Sequence, residues 1–258
     1  AFSTPTWVTT TIDGKFLAVT PSDNRLVCAR FNGTTAGDNI STVRFSDPGS
    51  PLEFDANNYV DLAPGDGEEI TGMAVFDGRL FVFKGTKFFV FYGTDENSDG
   101  TPVFRYNTVA GGNGLAVPGA LTVGDDGVYF LSHDGVYKTT GGTPARISSQ
   151  IDPFFLGTGA SFYTGGYLNG SVDNARMGSF NDQIWLACPV DSSTVNNRVL
   201  VFDTTLGIWT LYGMPVGCMA AFRISDRDEL VFGYSTGAND IGRHSPAYTT
   251  DNGVAIPW

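Results

Sequence analysis

One acidic loop has the residue types and spacing to bind a metal ion. Asp95, Asn97 and Asp99 stand at alternate positions, and a glycine follows them. This matches the first half of a calcium loop, where oxygen ligands converge around a sharp turn. The second half departs from the pattern, because Tyr106 stands where a bidentate Glu is needed. The sequence leaves two interpretations open, a solvated acidic hairpin loop or a calcium site at Asp95, Asn97 and Asp99.

Side chains that carry out catalysis are few. The chain has 2 histidines, His133 and His244, and no HExxH helix, G-x-S-x-G elbow or P-loop. His133 lies in a Ser-His-Asp-Gly sequence that turn geometry alone explains. We therefore expect that the protein is not an enzyme, that it binds no transition metal, and that calcium is its only candidate cofactor.

The charge balance argues against two classes of partner. The chain has 27 acidic and 15 basic residues, which gives a net charge of −12. A nucleic-acid binder needs surplus Lys and Arg to displace counterions from phosphates. Anionic membranes repel such a protein for the same reason, and no apolar run approaches the ~18 residues of a membrane helix. We expect no specific nucleic-acid binding and no membrane association.

The three cysteines do not form a disulfide framework. Cys28, Cys188 and Cys218 are far apart, and each lies in an apolar, strand-like run. This context predicts three buried thiols that pack as small hydrophobic side chains.

A strand–turn–strand unit recurs five times along the chain. Apolar alternating runs flank turns at Asp13-Gly14, Asp77-Gly78, Asp125–Gly127, Asn181-Asp182 and Asp226–Asp228. The turns lie roughly 45 to 65 residues apart, a spacing typical of propeller blades. Helical periodicity is nearly absent, except for a possible short helix or excursion between Ser149 and Asn174. The sequence predicts one all-β domain over residues 1–258, a β-propeller-like ring of about five antiparallel blades.

Several of these turns also resemble a known family. Val43–Pro51 followed by Asp61–Gly72 contains an SDPG-P turn that leads into an acidic GDG loop. Gly78–Lys84 and Val128–Tyr137 contain the strand phrases that follow it. Together they resemble tailed-bacteriophage tail and stabilisation proteins, the nozzle-type β-propeller subunits. The resemblance is good over residues 41 to 150 and rests on turn chemistry.

The resemblance implies a structural virion protein of the nozzle, plug or head-closure region. Its partners would be other virion tail subunits, in a ring homo-oligomer around the DNA-conducting channel used in DNA ejection. No catalytic residue is carried over from the family. We also expect the chain to be a fragment of a longer protein, because it lacks an initiator Met and stops within a strand-like run at Trp258.

Two other functions remain open. A carbohydrate-binding or glycan-processing propeller requires exposed aromatic side chains beside paired carboxylates on one face. Trp7, Trp185, Trp209 and Tyr163 are the candidates, although three of them lie in strand-like patterns typical of the core. A bacterial adhesion or scaffold propeller is the third class.

Overall fold

A computed structural model gives the architecture. The structure describes residues 14–20, 23–31, 39–96, 98, 102–156, 168, 171–224, 226–236, 241–244, 250–251 and 254–255. The chain divides into two compact units, one formed by residues 1–84 and 89–108 and the other by residues 85–88 and 109–258. The expectation of a single domain over residues 1–258 stays a prediction.

The first unit is built on two antiparallel four-stranded meanders, in which strands follow one another in chain order. The first sheet consists of β1 (Gly14–Thr20), β2 (Arg25–Phe31), β3 (Asn39–Phe45) and β4 (Tyr59–Asp61). The second sheet consists of β5 (Gly72–Phe76), β6 (Arg79–Phe83), β7 (Lys87–Glu96) and β8 (Pro102–Ala110). The first strands of the two sheets, β1 and β5, contact each other.

The second unit continues the same pattern with three larger sheets and a short strand pair. Its strands are β9 (Leu121–Gly124), β10 (Gly127–Ser132), β11 (Gly135–Thr139) and β12 (Ala145–Arg146); β13 (Arg176–Phe180), β14 (Gln183–Cys188), β15 (Arg198–Asp203) and β16 (Ile208–Tyr212); β17 (Val216–Ile224), β18 (Arg227–Tyr234) and β19 (Ile241–His244); and β20 (Thr250–Asp251) with β21 (Val254–Ala255). Here too the first strands adjoin, since β13 contacts both β9 and β17.

Helical structure is brief in the described part of the chain. It consists of α1 (Asp152–Phe155) and two 3₁₀ turns, Ser149–Ile151 and Val172–Asn174. These segments lie where the sequence allowed a short helix or an excursion. No helix among the described residues is long and apolar enough to cross a membrane.

The core of the first unit is rich in phenylalanine. Phe45 stacks on Phe104 with ring centroids 3.9 Å apart, and it also meets Phe91 at 5.5 Å. Both sheets contribute to this cluster, which also contains Val27, Val43, Leu80 and Val82. Offset aromatic pairs add stabilisation beyond the apolar area that they bury.

The middle sheet of the second unit buries both of its faces. Leu186 and Leu200 pack in a cluster with Tyr129 and Leu131 of β10. Trp185 and Val201 point to the opposite face and pack with Phe232 of β18. Adjacent strand residues face opposite sides of a sheet. Because both sides are buried here, the sequences of β14 and β15 are nearly continuous apolar runs.

The all-β prediction is confirmed, and the strand pattern follows the repeated hairpins. The thiol prediction is right for Cys28 and Cys188, which are buried, and wrong for Cys218, which is exposed. Met219, its neighbour in β17, packs against the core cluster containing Phe232. Strand alternation therefore turns Cys218 to the other face of the sheet.

Candidate functional site

A polar cleft lies at one end of the second unit, where the turns of several hairpins meet. Its volume is about 690 Å³. Its walls are formed by four segments: the β9–β10 turn, the β13–β14 turn, the β15–β16 turn and the β17–β18 hairpin. The residues that carry its chemistry are Asp125, Asp126, Asp182, Asp228, Arg223, Thr204, Thr205, Asn181 and Phe222.

The β13–β14 turn is shaped by left-handed backbone. Asn181 and Asp182 have φ values of 46° and 56°, as a two-residue primed hairpin turn requires. Asn and Asp tolerate this conformation better than other non-glycine residues. The Asp182 carbonyl also accepts hydrogen bonds from the amide and hydroxyl of Thr204, each at 2.8 Å, which ties two walls of the cleft together.

Asp126 is held by two neighbouring side chains. The buried Tyr129 hydroxyl donates a hydrogen bond to Asp126 Oδ1 at 2.6 Å, and Lys138 Nζ forms an ion pair with Oδ2. Burial alone raises the pKa of Asp126, but the hydrogen bonds from Lys138 and Tyr129 outweigh it and lower the pKa from the usual aspartate value. Burial and the adjacent carboxylate raise the pKa of Tyr129. Asp126 is therefore a fixed, charged part of the wall.

The remaining lining residues offer varied contacts to a ligand. Phe222 is 54% exposed and contributes a large apolar ring to the lining of the cleft. Arg223 lies opposite Asp228 in the β17–β18 register, so a donor and an acceptor stand side by side. Asp125 and Asp182 add further acceptors. The cleft thus combines an exposed aromatic face with several carboxylates, which suits a ligand that has hydroxyl groups and an apolar face.

A second polar cluster lies inside the first unit. Lys84 is fully buried. Its ammonium group forms an ion pair with Asp66 at 2.8 Å and donates hydrogen bonds to Ser41 Oγ at 2.9 Å and the Ala63 carbonyl at 3.2 Å. The acidic GDG loop is thereby fastened to the sheet through Asp66.

The predicted calcium loop is only partly described. Asp95 is at the surface, and its carboxylate forms an ion pair with the Arg105 guanidinium. Asn97 and Asp99 lie outside the described residues. Among the described residues, no group of three or more His, Cys, Asp or Glu is arranged to hold a metal ion. Calcium binding stays a prediction, and Asp95 is not one of the residues that line the cleft.

The two described aromatic candidates for glycan binding, Trp185 and Trp209, do not line the cleft. Trp185 is buried, and Trp209 is half-buried with its indole N–H donating to the Ile147 carbonyl at 3.0 Å. Trp7 and Tyr163 lie outside the described residues. Phe222, which the sequence analysis did not select, supplies the exposed ring instead.

The contacts of Asp126 with Tyr129 and Lys138 correspond to a pattern that is visible in the sequence. The phrase Asp-Gly-Val-Tyr occurs at Asp126–Tyr129 and again at Asp134–Tyr137, each followed by a basic residue, Lys138 or Arg146, at the same distance. In both copies the Tyr hydroxyl donates to the Asp carboxylate three residues before it. No comparable signal marks the rest of the cleft, because its walls come from separate hairpins.

No protein-family model matches the chain, and no curated protein matches it in sequence.

Proposed function

We propose that this chain is a structural component of a tailed-bacteriophage virion, a propeller-like domain of the tail. In the proposed arrangement each successive meander is one blade, and about five blades form a ring. The adjoining first strands within each unit, β1 with β5 and β13 with β9 and β17, support it. In a propeller the first strands line the central axis.

The observation that carries the proposal is the role of the residues behind the phage resemblance. Ser46 Oγ accepts a hydrogen bond from the Leu26 amide at 2.9 Å, and Asp47 accepts one from Asn58 at 2.6 Å. Asp66 binds the buried Lys84. The characteristic polar residues of these phrases are thus engaged in fastening turns to sheets. Residues with such contacts suit a rigid building block, so the proposal includes no catalytic step.

The negative charge supports a position next to DNA in which the protein does not bind the duplex. A wall with a net charge of −12 repels phosphates, so a duplex can slide past it. In the proposed assembly, copies of the chain form a ring with other tail subunits around the channel.

Mass spectrometry of purified particles tests this function. We expect peptides of this chain in intact virions and in isolated tails, at a copy number consistent with a ring. The expected gene neighbours encode portal, terminase and tail-fibre proteins. Absence of the protein from purified particles, with the gene placed in a carbohydrate-utilisation cluster, would contradict the proposal.

A second candidate, glycan binding, is favoured by the cleft. It places the exposed Phe222 ring beside Asp182 and Asp228, the combination of aromatic and carboxylate groups expected of a sugar site. A glycan array tests this candidate. Binding that is lost in Phe222→Ala and kept in Tyr59→Ala, a matched change of an exposed aromatic outside the cleft, would favour it. An array with no binding would remove it.

A further inference from the structure

The outer strand of the middle sheet in the second unit has an unusual surface. Strand β16 ends its sheet, and no described strand pairs with its outer edge. Ile208, Leu211 and Tyr212 are 49%, 52% and 45% exposed, and Leu206 in the preceding turn is 67% exposed. Such an edge offers unpaired backbone N–H and C=O groups together with apolar side chains.

The edge also lacks the usual protection against pairing. Natural proteins protect edge strands with charges, prolines, bulges or short length. The last strands of the other four larger sheets each contain a charged residue: Asp61 in β4, Arg105 in β8, Arg146 in β12 and Arg243 in β19. No charged residue occurs between Asp203 and Arg223, so β16 and its flanks are uncharged.

Contacts on both faces of the sheet hold β16 in an extended form. The Trp209 indole donates to the Ile147 carbonyl at 3.0 Å, and Tyr212 stacks parallel to Trp185 with centroids 6.2 Å apart. Gln150 donates to the Gly207 carbonyl at 3.1 Å. A strand held in this way loses little conformational entropy when another strand pairs with it.

We infer that β16 is a self-association edge, at which two copies of this chain pair antiparallel across a two-fold axis. The axis passes between the two Thr210 residues, so Ile208 lies opposite Tyr212 and Trp209 lies opposite Leu211. Every cross-strand pair is then apolar or Thr–Thr, the kinds of pair that stabilise a sheet.

The absence of charge on β16 suits a second copy as its occupant. With a net charge of −12, two copies repel each other at most surfaces. Strand β16 is an edge where the chains meet without placing like charges in contact. A two-fold contact requires a self-complementary surface, which an uncharged strand centred on a threonine provides. The inference does not depend on the proposed virion function.

Sedimentation velocity over a wide concentration range tests the pairing. We expect the wild-type protein to form dimers reversibly. Thr210→Lys and Thr210→Glu each place two like charges opposite each other, so we expect each to raise the dimer dissociation constant by about tenfold or more. Thr108→Lys is the matched control, since Thr108 is an exposed threonine on the outer strand β8; it should dimerise like wild type.

A mixture of the two variants gives the sharper result. Thr210→Lys mixed with Thr210→Glu places opposite charges across the axis, so dimers should return. Amide hydrogen exchange of the wild type, slower over Ile208–Tyr212 as concentration rises, checks the same edge without substitution. A wild type that stays monomeric, a Thr210→Lys protein that dimerises like wild type, or exchange independent of concentration would overturn the inference.

Discussion

Single polar side chains fix the turns of this protein. Lys84 is the clearest case, because its buried ammonium group has a carboxylate, a hydroxyl and a carbonyl as partners. A buried charge is tolerated only when it is paired and hydrogen-bonded. Lys84 and Asp66 therefore fasten a loop to the sheet, and removing either one leaves the other without its counter-charge.

Replacing Lys84 by Met should lower the free energy of unfolding by about 3 kcal/mol, the range for breaking a buried ion pair. Urea denaturation measures the change. Arg79→Met is the control at the other end of strand β6, since Arg79 and Asp77 form an exposed pair at 3.8 Å. We expect it to cost less than about 0.5 kcal/mol. An equal loss of unfolding free energy in the two variants would show that the buried Lys84–Asp66 ion pair does not stabilise the fold as described.

Asp126 should make stability depend on pH. Its pKa is lowered in the folded protein, so its contribution is fully present above the unfolded value. The contribution is lost as the pH falls below the usual aspartate pKa and through the lowered pKa of the folded state. Asp126→Asn should therefore be less stable than wild type at neutral pH, with a difference that shrinks in acid.

Chemical denaturation at several pH values measures this difference. Asp77→Asn is a suitable control, because the Asp77 side chain is 72% exposed and its φ of 50° suits Asn equally well. At neutral pH it should cost less stability than Asp126→Asn, because its ion pair with Arg79 is exposed. A flat profile for Asp126→Asn would contradict the assigned role.

The hairpins are the elements that the sequence predicts best. The Asp77-Gly78 turn and the apolar runs beside it predicted strands over Gly72–Phe76 and Arg79–Lys84, and the structure has β5 and β6 within one residue of these bounds. Turn residues determine the backbone conformation of the hairpin loop that contains them, so they can be recognised from a short stretch of sequence. The cleft and the Lys84–Asp66 pair depend on groups brought together by tertiary packing, which a local pattern does not contain.

The turn at Gly78 gives a direct test at this scale. Gly78 has a φ of 71°, and a Cβ added there has open space around it. Gly78→Ala should cost about 1 kcal/mol through backbone conformation alone. Gly213→Ala is the control, because Gly213 also has open space and no left-handed φ. It should be neutral or slightly stabilising. Thermal denaturation of both variants measures the difference, and equal melting temperatures would count against the primed turn.

For the whole molecule, charge is the dominant property. With a net charge of −12 the chain has no surplus of basic residues to release counterions from phosphates. We expect no measurable binding to duplex DNA at physiological salt by fluorescence anisotropy. Binding in the micromolar range that weakens as salt is raised would contradict this expectation and the proposal of a non-binding channel wall.

Antibody labelling of intact particles in the electron microscope tests whether this chain is part of a phage tail, as we propose. We expect label on the tail of virions and on isolated tails. The matched control is particles of a mutant that lacks the gene, which should show no label. Label that is absent from the tails of intact virions, with antibody that recognises the purified protein, would contradict the claim.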